Sequence, residues 1–372
     1  VTVTGRLTEL LRMPGPWCTV HVGVGTGTVD SLEAMDLLGG RIQETLAAAG
    51  ASKEDVKTSA ALTWRAEGMP GPCSRYVLIS GGEVRINEVR PGEPPVEIID
   101  TGPIPNLVPL LQATGADFTY VVVEAERAKA EIRLYRASTP EPLTQGEIHG
   151  DTENLKKVPG GGLSQGRYQY RTEEIWRRNA NETAAEVDAA VEGHRVGLVI
   201  VSGDVRARQL LLGELGSAAA SLVRVIDMNS HPAGADRDKF DVEVERLVAE
   251  ALAHRQQTIL ERLAGADVKY RAIGWGESVQ ALQAAQVETL LLESDGLADK
   301  TALVLGEAPW IATTDDDALS AEVVGRASGS ASLVRAALLT DANLELLAPG
   351  ALGGHSPVAS LLRWPAGMQR ES

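Results

Sequence analysis

A chain of 372 residues exceeds what one hydrophobic core usually serves, so two or three domains are expected, and a 44% hydrophobic content supplies their interiors. Aromatics make up only 4% and the formal net charge is -16, which makes the cores aliphatic and excludes a protein that coats nucleic acid over its whole surface; any RNA contact must be local. Two cysteines, Cys18 and Cys73, are too few for a secreted disulfide framework or a structural zinc site, Val1 to Glu9 has no signal pattern, and no run approaches the roughly 18 apolar residues of a membrane span, so a cytoplasmic protein with no membrane partner is expected.

The expected fold class is α/β in three domains, each a mixed or largely parallel sheet flanked by helices, over 1–145, 146–264 and 265–372. Thr19 to Val24 reads as a strand, and Ser31 to Ala49 has helical apolar spacing between an Asp30-Ser31 start and a Gly50 stop. Between them Gly23-Val24-Gly25-Thr26-Gly27 offers a phosphate cradle. It lacks both the third glycine of the dinucleotide spacing and the Lys-Ser/Thr of a P-loop, so a turn without a ligand is favoured and no cofactor is expected. Ser74 to Ser80 and Glu83 to Val89 flank Gly81-Gly82 and predict a hairpin. A helix follows over Ile104 to Ala113, then strands over Thr119 to Glu124 and Ala130 to Tyr135. Lys129, Arg133 and Arg136 offer some RNA contact, with a solvated strand face as the default. Ser138 to Pro159, polar and rich in Pro and Gly, reads as an interdomain linker.

Downstream, a long helix is predicted over Gln165 to Gly193, a buried strand over Val196 to Val201, a helix over Val205 to Leu215 behind Ser202/Asp204 cap signals, a strand over Ser221 to Asp227 and a helix over Asp241 to Ala264. The last domain carries a helix over Ser278 to Ala285, a strand over Val287 to Leu292, a helix over Ala331 to Thr340 and a strand over Leu344 to Leu347; Gly353-Gly354 and Val358 to Arg363 close it. The six histidines stand at no ligand spacing, and the side chains of Asp315-Asp316-Asp317 do not converge, so no metal is expected.

The stretch richest in chemistry is Pro159-Gly160-Gly161-Gly162-Leu163-Ser164-Gln165-Gly166-Arg167-Tyr168-Gln169-Tyr170-Arg171. Three consecutive glycines remove every Cβ and let the backbone approach another surface closely. Around them Lys156, Lys157, Arg167, Arg171, Arg177 and Arg178 outnumber Glu173 and Glu174, a positive stripe on an acidic molecule that suits a phosphate backbone. The plain alternative is a flexible linker before a solvent-facing helix.

These residues resemble the archaeal and eukaryotic class 1 peptide-release factors and their relative Pelota, in the bacterial branch that includes the hibernation factor Balon and the Vms-type peptidyl-tRNA hydrolases. That pattern is Gly-Gly-Gln-Ser followed by Arg-Phe, further arginines and a long helix. Here Gly161, Gly162, Leu163, Ser164, Arg167 and Tyr168 occupy the corresponding places, and Arg171, Arg177 and Arg178 carry the basic helix onward. Downstream, Val279 to Leu291 resembles the helix-to-strand segment of the third domain, and Gly353 to Trp364 resembles that domain's last helix with a basic-aromatic finish. The resemblance covers roughly residues 150 to 364.

The resemblance implies a tRNA-like arrangement: an N-terminal domain toward the decoding site, a middle domain whose glycine loop faces the peptidyl-transferase centre, and a third domain for protein partners. It also exposes a missing group. Where release factors place the glutamine that orients ester hydrolysis, this chain has Leu163, whose side chain has neither donor nor acceptor. Losing one positioned catalytic group costs about two to four orders of magnitude in rate. No Asn-Ile-Lys-Ser stop-codon motif is present either. The expectation is a ribosome A-site-binding protein of hibernation or rescue. Lys156, Lys157, Gly160, Gly161, Gly162, Leu163, Ser164, Arg167, Tyr168, Arg171, Arg177 and Arg178 would meet ribosomal RNA or peptidyl-tRNA, and a translational GTPase or ribosomal protein is the expected further partner. The open alternative is a peptidyl-tRNA hydrolase using Gln165, which requires the loop to shift by roughly 6 to 7 Å.

Overall fold

The computed structural model describes residues 3–24, 29–66, 71–113, 118–126, 129–137, 142–149, 163–194, 196–228, 237–354 and 356–367. Its first elements are α1 (Val3–Arg12), β1 (Trp17–Gly23), α2 (Val29–Ala48), α3 (Lys53–Ala60), β2 (Cys73–Ser80), β3 (Glu83–Pro91), β4 (Ile98–Gly102) and α4 (Val108–Ala113). Next come β5 (Thr119–Ala125), β6 (Lys129–Arg136), β7 (Thr144–His149), α5 (Leu163–His194), β8 (Val196–Gly203), α6 (Val205–Glu214), α7 (Ser217–Ser221), β9 (Val223–Val225) and α8 (Arg237–Gly265). The chain closes with β10 (Arg271–Ile273), α9 (Trp275–Gln283), β11 (Val287–Glu293), β12 (Thr301–Leu305), β13 (Ile311–Ala312), β14 (Val323–Ser328), α10 (Gly329–Leu339), β15 (Asn343–Leu347) and β16 (Val358–Leu362). The architecture is mixed α/β with several sheets flanked by helices, and it divides into two compact units, Val1–Ala116 with Ile259–Ser372, and Asp117–Thr258.

In the first unit the β2–β3 hairpin turns on Gly81 and Gly82 at φ +61° and +73°, the two consecutive positive angles that match a tight turn to strand twist. Its sheet, ordered β3-β2-β1-β4, is wholly antiparallel rather than mixed or largely parallel. Alternation along β1 decides its two faces. Cys18, Val20 and Val22 pack with Val77 and Ile79 against Leu38, Ile42 and Leu46 of α2. Trp17 on the other face joins Tyr76, Leu78, Leu10 and Leu11 in one core with Leu282, Leu290 and Leu333 from the far end of the sequence.

That second face also buries His21, edge-on to Tyr76. Burial, with a smaller contribution from Arg90, holds its imidazole below the ordinary value of 6.5. The neutral ring is therefore the form that the fold accommodates. Its stabilisation is complete above the ordinary value and is lost as the pH falls toward and through the depressed one. Between pH 7 and 5 the melting temperature of the wild type is expected to fall more steeply than that of His21→Gln; parallel curves would contradict this.

The C-terminal part of the same unit is built on a sheet ordered β10-β16-β11-β15, with only the β11–β15 pair parallel. Val358 to Leu362, expected as a terminal helix, is the central strand β16, buried throughout. Arg363 is no free basic finish: its guanidinium donates to the carbonyls of Ala285 and Thr340 just past α9 and α10, and also to Asp341 O. A second sheet, β13-β12-β14, packs beside α10. Arg335, inside α10 and 5% exposed, donates to Leu11 O at 3.2 Å, Leu305 O at 3.0 Å and Trp310 O at 3.2 Å, which ties α1 to this region. Burial without a carboxylate lowers its guanidinium to about 10.

The second unit holds a sheet ordered β7-β6-β5-β8-β9. β5, β8 and β9 are parallel through helical crossovers, whereas the short connections around β6 can return the chain only antiparallel. The expected linker over Ser138 to Pro159 therefore contains a strand, β7, and the strands on either side of position 145 share one sheet. The expected strand over Ser221 to Asp227 shrinks to three residues behind α7. The helix expected from Val205 forms as α6, with the Asp204 carboxylate accepting from Arg206 N at 3.0 Å and Ala207 N at 3.1 Å.

Candidate nucleic-acid interface

The long helix predicted from Gln165 exists as α5, 32 residues. Its anchoring stripe is Asn179, Ala180, Thr183, Ala184 and Val187, spaced so that each turn presents a small or branched side chain to the sheet. Ala184 and Val187 lie in one core with Val121, Val123, Val199, Val201 and Leu211. The Thr183 hydroxyl donates to Asn179 O at 2.7 Å, satisfying a hydroxyl that burial would otherwise leave unpaired.

Opposite that stripe the charged residues lie in solvent. Arg177 and Arg178 are exposed, and Arg177 makes no ion pair among the described residues. Arg178, with 76% of its side chain exposed, pairs with Glu182 at 3.1 Å one turn on. An exposed pair of this kind is worth roughly 0.3–0.5 kcal/mol. Beside them Trp176 is half-buried, next to Asn179 and Thr183 in a shallow cleft that Lys129 and Leu211 also line. This aromatic was not singled out in the sequence; it directly precedes Arg177 and Arg178 and lines the cleft with the buried Asn179.

Lys156, Lys157, Gly160, Gly161 and Gly162 lie outside the described residues. Leu163, Ser164, Gln165, Arg167, Tyr168 and Arg171 lie on the first turns of α5, where the backbone is described and the side chains are not. Of the expected stripe, the geometry thus brings Arg177 and Arg178 onto one solvent face. Gly25, Thr26 and Gly27 of the possible phosphate cradle are also outside. A Cβ on Gly23, at the end of β1, would stand 2.5 Å from a Glu93 carboxylate oxygen, an acidic neighbour that repels phosphate.

Arg133 is corrected from a solvated or RNA-facing position to a buried one. Its guanidinium pairs with Glu124, which is 1% exposed, and Arg237 reaches the same carboxylate at 3.1 Å. Burial lowers the Arg133 guanidinium below its usual range. Lys129 lies 3.7 Å from Glu147. Nearby, Tyr120 stacks on Tyr135 with centroids 5.2 Å apart, and burial pushes its phenol up to about 12. This network joins the start of α8 to β5 and β6.

Among the described residues no group of three or more His, Cys, Asp or Glu is arranged to hold a metal, and no helix is long and apolar enough to cross a membrane. Cys18 and Cys73 are free and buried.

A sequence model of the bacterial archaeo-eukaryotic release factor family 2 matches residues 119–267, the span from β5 through α5 to the end of α8. The Mycobacterium tuberculosis protein Rv2629 (strain H37Rv) is 27% identical, with 97% of this chain and 96% of its own length aligned. Among solved structures, the Saccharomyces cerevisiae translation termination-like factor Dom34 aligns over 81% of each chain at 10% identity and a TM-score of 0.42. Archaeoglobus fulgidus Pelota aligns over 78% of this chain and 79% of its own at 16% identity and a TM-score of 0.31. The segment that contains the glycine loop and the arginine-bearing helix is thus similar to the bacterial archaeo-eukaryotic release factor family 2.

Proposed function

We propose that the protein occupies the ribosomal A site as a release-factor-like translation factor acting in hibernation or rescue, without reading a stop codon and without hydrolysing the peptidyl-tRNA ester. The observation that carries this reading is the family segment itself: it encloses a glycine loop and a helix whose described arginines, Arg177 and Arg178, face solvent on a chain of net charge -16. Arg167, Arg171, Arg177 and Arg178 neutralise phosphates, Tyr168 stacks on a base, and Gly160 to Gly162 admit the close backbone approach that folded RNA requires. Leu163 supports the absence of hydrolysis, because no side-chain group at that position can orient water. A three-domain, tRNA-like arrangement belongs to the same proposal, with the third domain meeting a translational GTPase or ribosomal protein.

Co-sedimentation with ribosomes tests it. Wild type is expected to pellet with ribosomes, Arg167→Ala/Arg171→Ala to bind about tenfold or more weakly at moderate salt, and peptidyl-tRNA on stalled ribosomes to stay intact. Undiminished binding by the variant contradicts the RNA contact. Ester cleavage that disappears in Gln165→Ala contradicts the non-hydrolytic role.

A further inference from the structure

A surface remote in sequence from α5 has features that neither the core nor the RNA contact uses. Residues 301–328, which form the sheet β13-β12-β14 and its connections, contain Glu307, Asp315, Asp316, Asp317 and Glu322 against one basic residue, Arg326 in β14. All five carboxylate residues are exposed. Among them stand three apolar side chains in solvent: Leu319 at 82% exposure, Val323 at 42% and Val324 at 43%.

This face is held firmly from beneath. Ala318 is buried with Leu303, Leu305 and Ala312, one residue before the exposed leucine. The Asp317 carboxylate accepts from the Thr313 hydroxyl at 2.5 Å and from Thr314 N at 3.2 Å, and Ala321 N donates to Ala318 O at 3.0 Å. Gly306 N donates to Glu322 O at 3.0 Å, fixing the entry to β14. Leu319 itself has φ +54°, a region that bulky residues avoid and glycine enters freely. Its side chain therefore serves neither the burial nor the backbone of this unit. A leucine fixed in solvent on a preformed turn is a knob that meets a partner without first losing loop entropy.

We infer that this acidic, apolar-tipped face docks a basic protein segment that offers an apolar pocket to Leu319 and flanks it with lysines or arginines. Charge selects the occupant. Five carboxylates repel a nucleic-acid backbone, and a two-fold pairing with a second copy would set the same acidic patch against itself on two chains of net charge -16. A metal is not the ligand, since none of these carboxylates belongs to a metal-holding group among the described residues. The inference stands apart from the RNA contact of α5, so either can fail alone.

Fluorescence anisotropy of a labelled, short lysine/leucine peptide titrated with the full chain tests it. Binding is expected to weaken about tenfold or more in Leu319→Ser and again in Asp315→Asn/Asp316→Asn/Glu322→Gln, to decline with salt, and to resist competition by a glutamate/leucine peptide or a short single-stranded RNA. All four positions are exposed, so unchanged melting curves verify that the variants fold. Absent peptide binding, equal binding by the variants, displacement by the RNA, or a dimer in sedimentation that Leu319→Ser dissolves would each overturn the inference.

Discussion

Glu124→Ala is expected to destabilise the protein by about 3–5 kcal/mol, the range for removing one partner of a buried ion pair. The carboxylate is 1% exposed, and the Arg133 guanidinium that pairs with it has 10% of its side chain exposed. Truncation leaves that guanidinium buried with Glu131, 3.5 Å away, as its remaining ion-pair partner. Arg237 loses less, because 44% of its side chain already lies in water. Replacing both members, Glu124→Leu with Arg133→Met, is expected to recover most of the loss, since apolar packing substitutes for a buried pair whose desolvation is expensive. Urea denaturation of the full chain measures both. A loss below about 1 kcal/mol for Glu124→Ala contradicts the assignment.

Gly203→Ala is expected to be comparably severe, at about 3–5 kcal/mol, for a different reason. Gly203 ends β8 at φ +108°, and a Cβ there would lie 2.1 Å from the carbonyl oxygen of Ala125 on the parallel neighbour β5. The Cβ is fixed by its own backbone and the atom it meets is a backbone carbonyl oxygen, so no rotamer change relieves the contact, and Asp204 N already donates to that same carbonyl at 2.9 Å. Gly213→Ala in α6 is the control. Its Cβ would meet nothing within 4 Å, and alanine in a helix gains up to about 1 kcal/mol over glycine. Thermal melts of the two variants should move in opposite directions; a Gly203→Ala melt within error of wild type contradicts the close approach of the two strands.

Elements with local signals were legible in the sequence. The Gly81-Gly82 hairpin, the Asp204-capped α6, the long α5 and the buried β8 each carry their cause within a few residues. Elements defined by distant partners were not. Val358 to Leu362 is a short apolar run that periodicity cannot assign, and it is a strand because β10 and β11 flank it on both edges. The sheet β13-β12-β14 uses strands of two to six residues, too short for any pattern. Arg133 alternates like a solvated position, yet Glu124 and Arg237, the latter more than a hundred residues on, bury it. At the candidate interface, Arg177 and Arg178 stand out in the sequence as part of a basic stripe on an acidic chain, whereas the half-buried placement of Trp176 depends on where β5, β6 and α6 lie.

The proposed interface requires the arginines of α5 to meet phosphate, and salt reads that contact directly. Ribosome affinity should be measured across a range of monovalent salt for wild type and for Arg167→Ala/Arg171→Ala/Arg177→Ala/Arg178→Ala. Each phosphate contact contributes roughly 0.7 to 0.9 to the slope of log affinity against log salt, so the variant should bind more weakly and with a slope shallower by about 3. Equal slopes for the two proteins would show that these four charges never reach RNA, and would contradict the proposed interface.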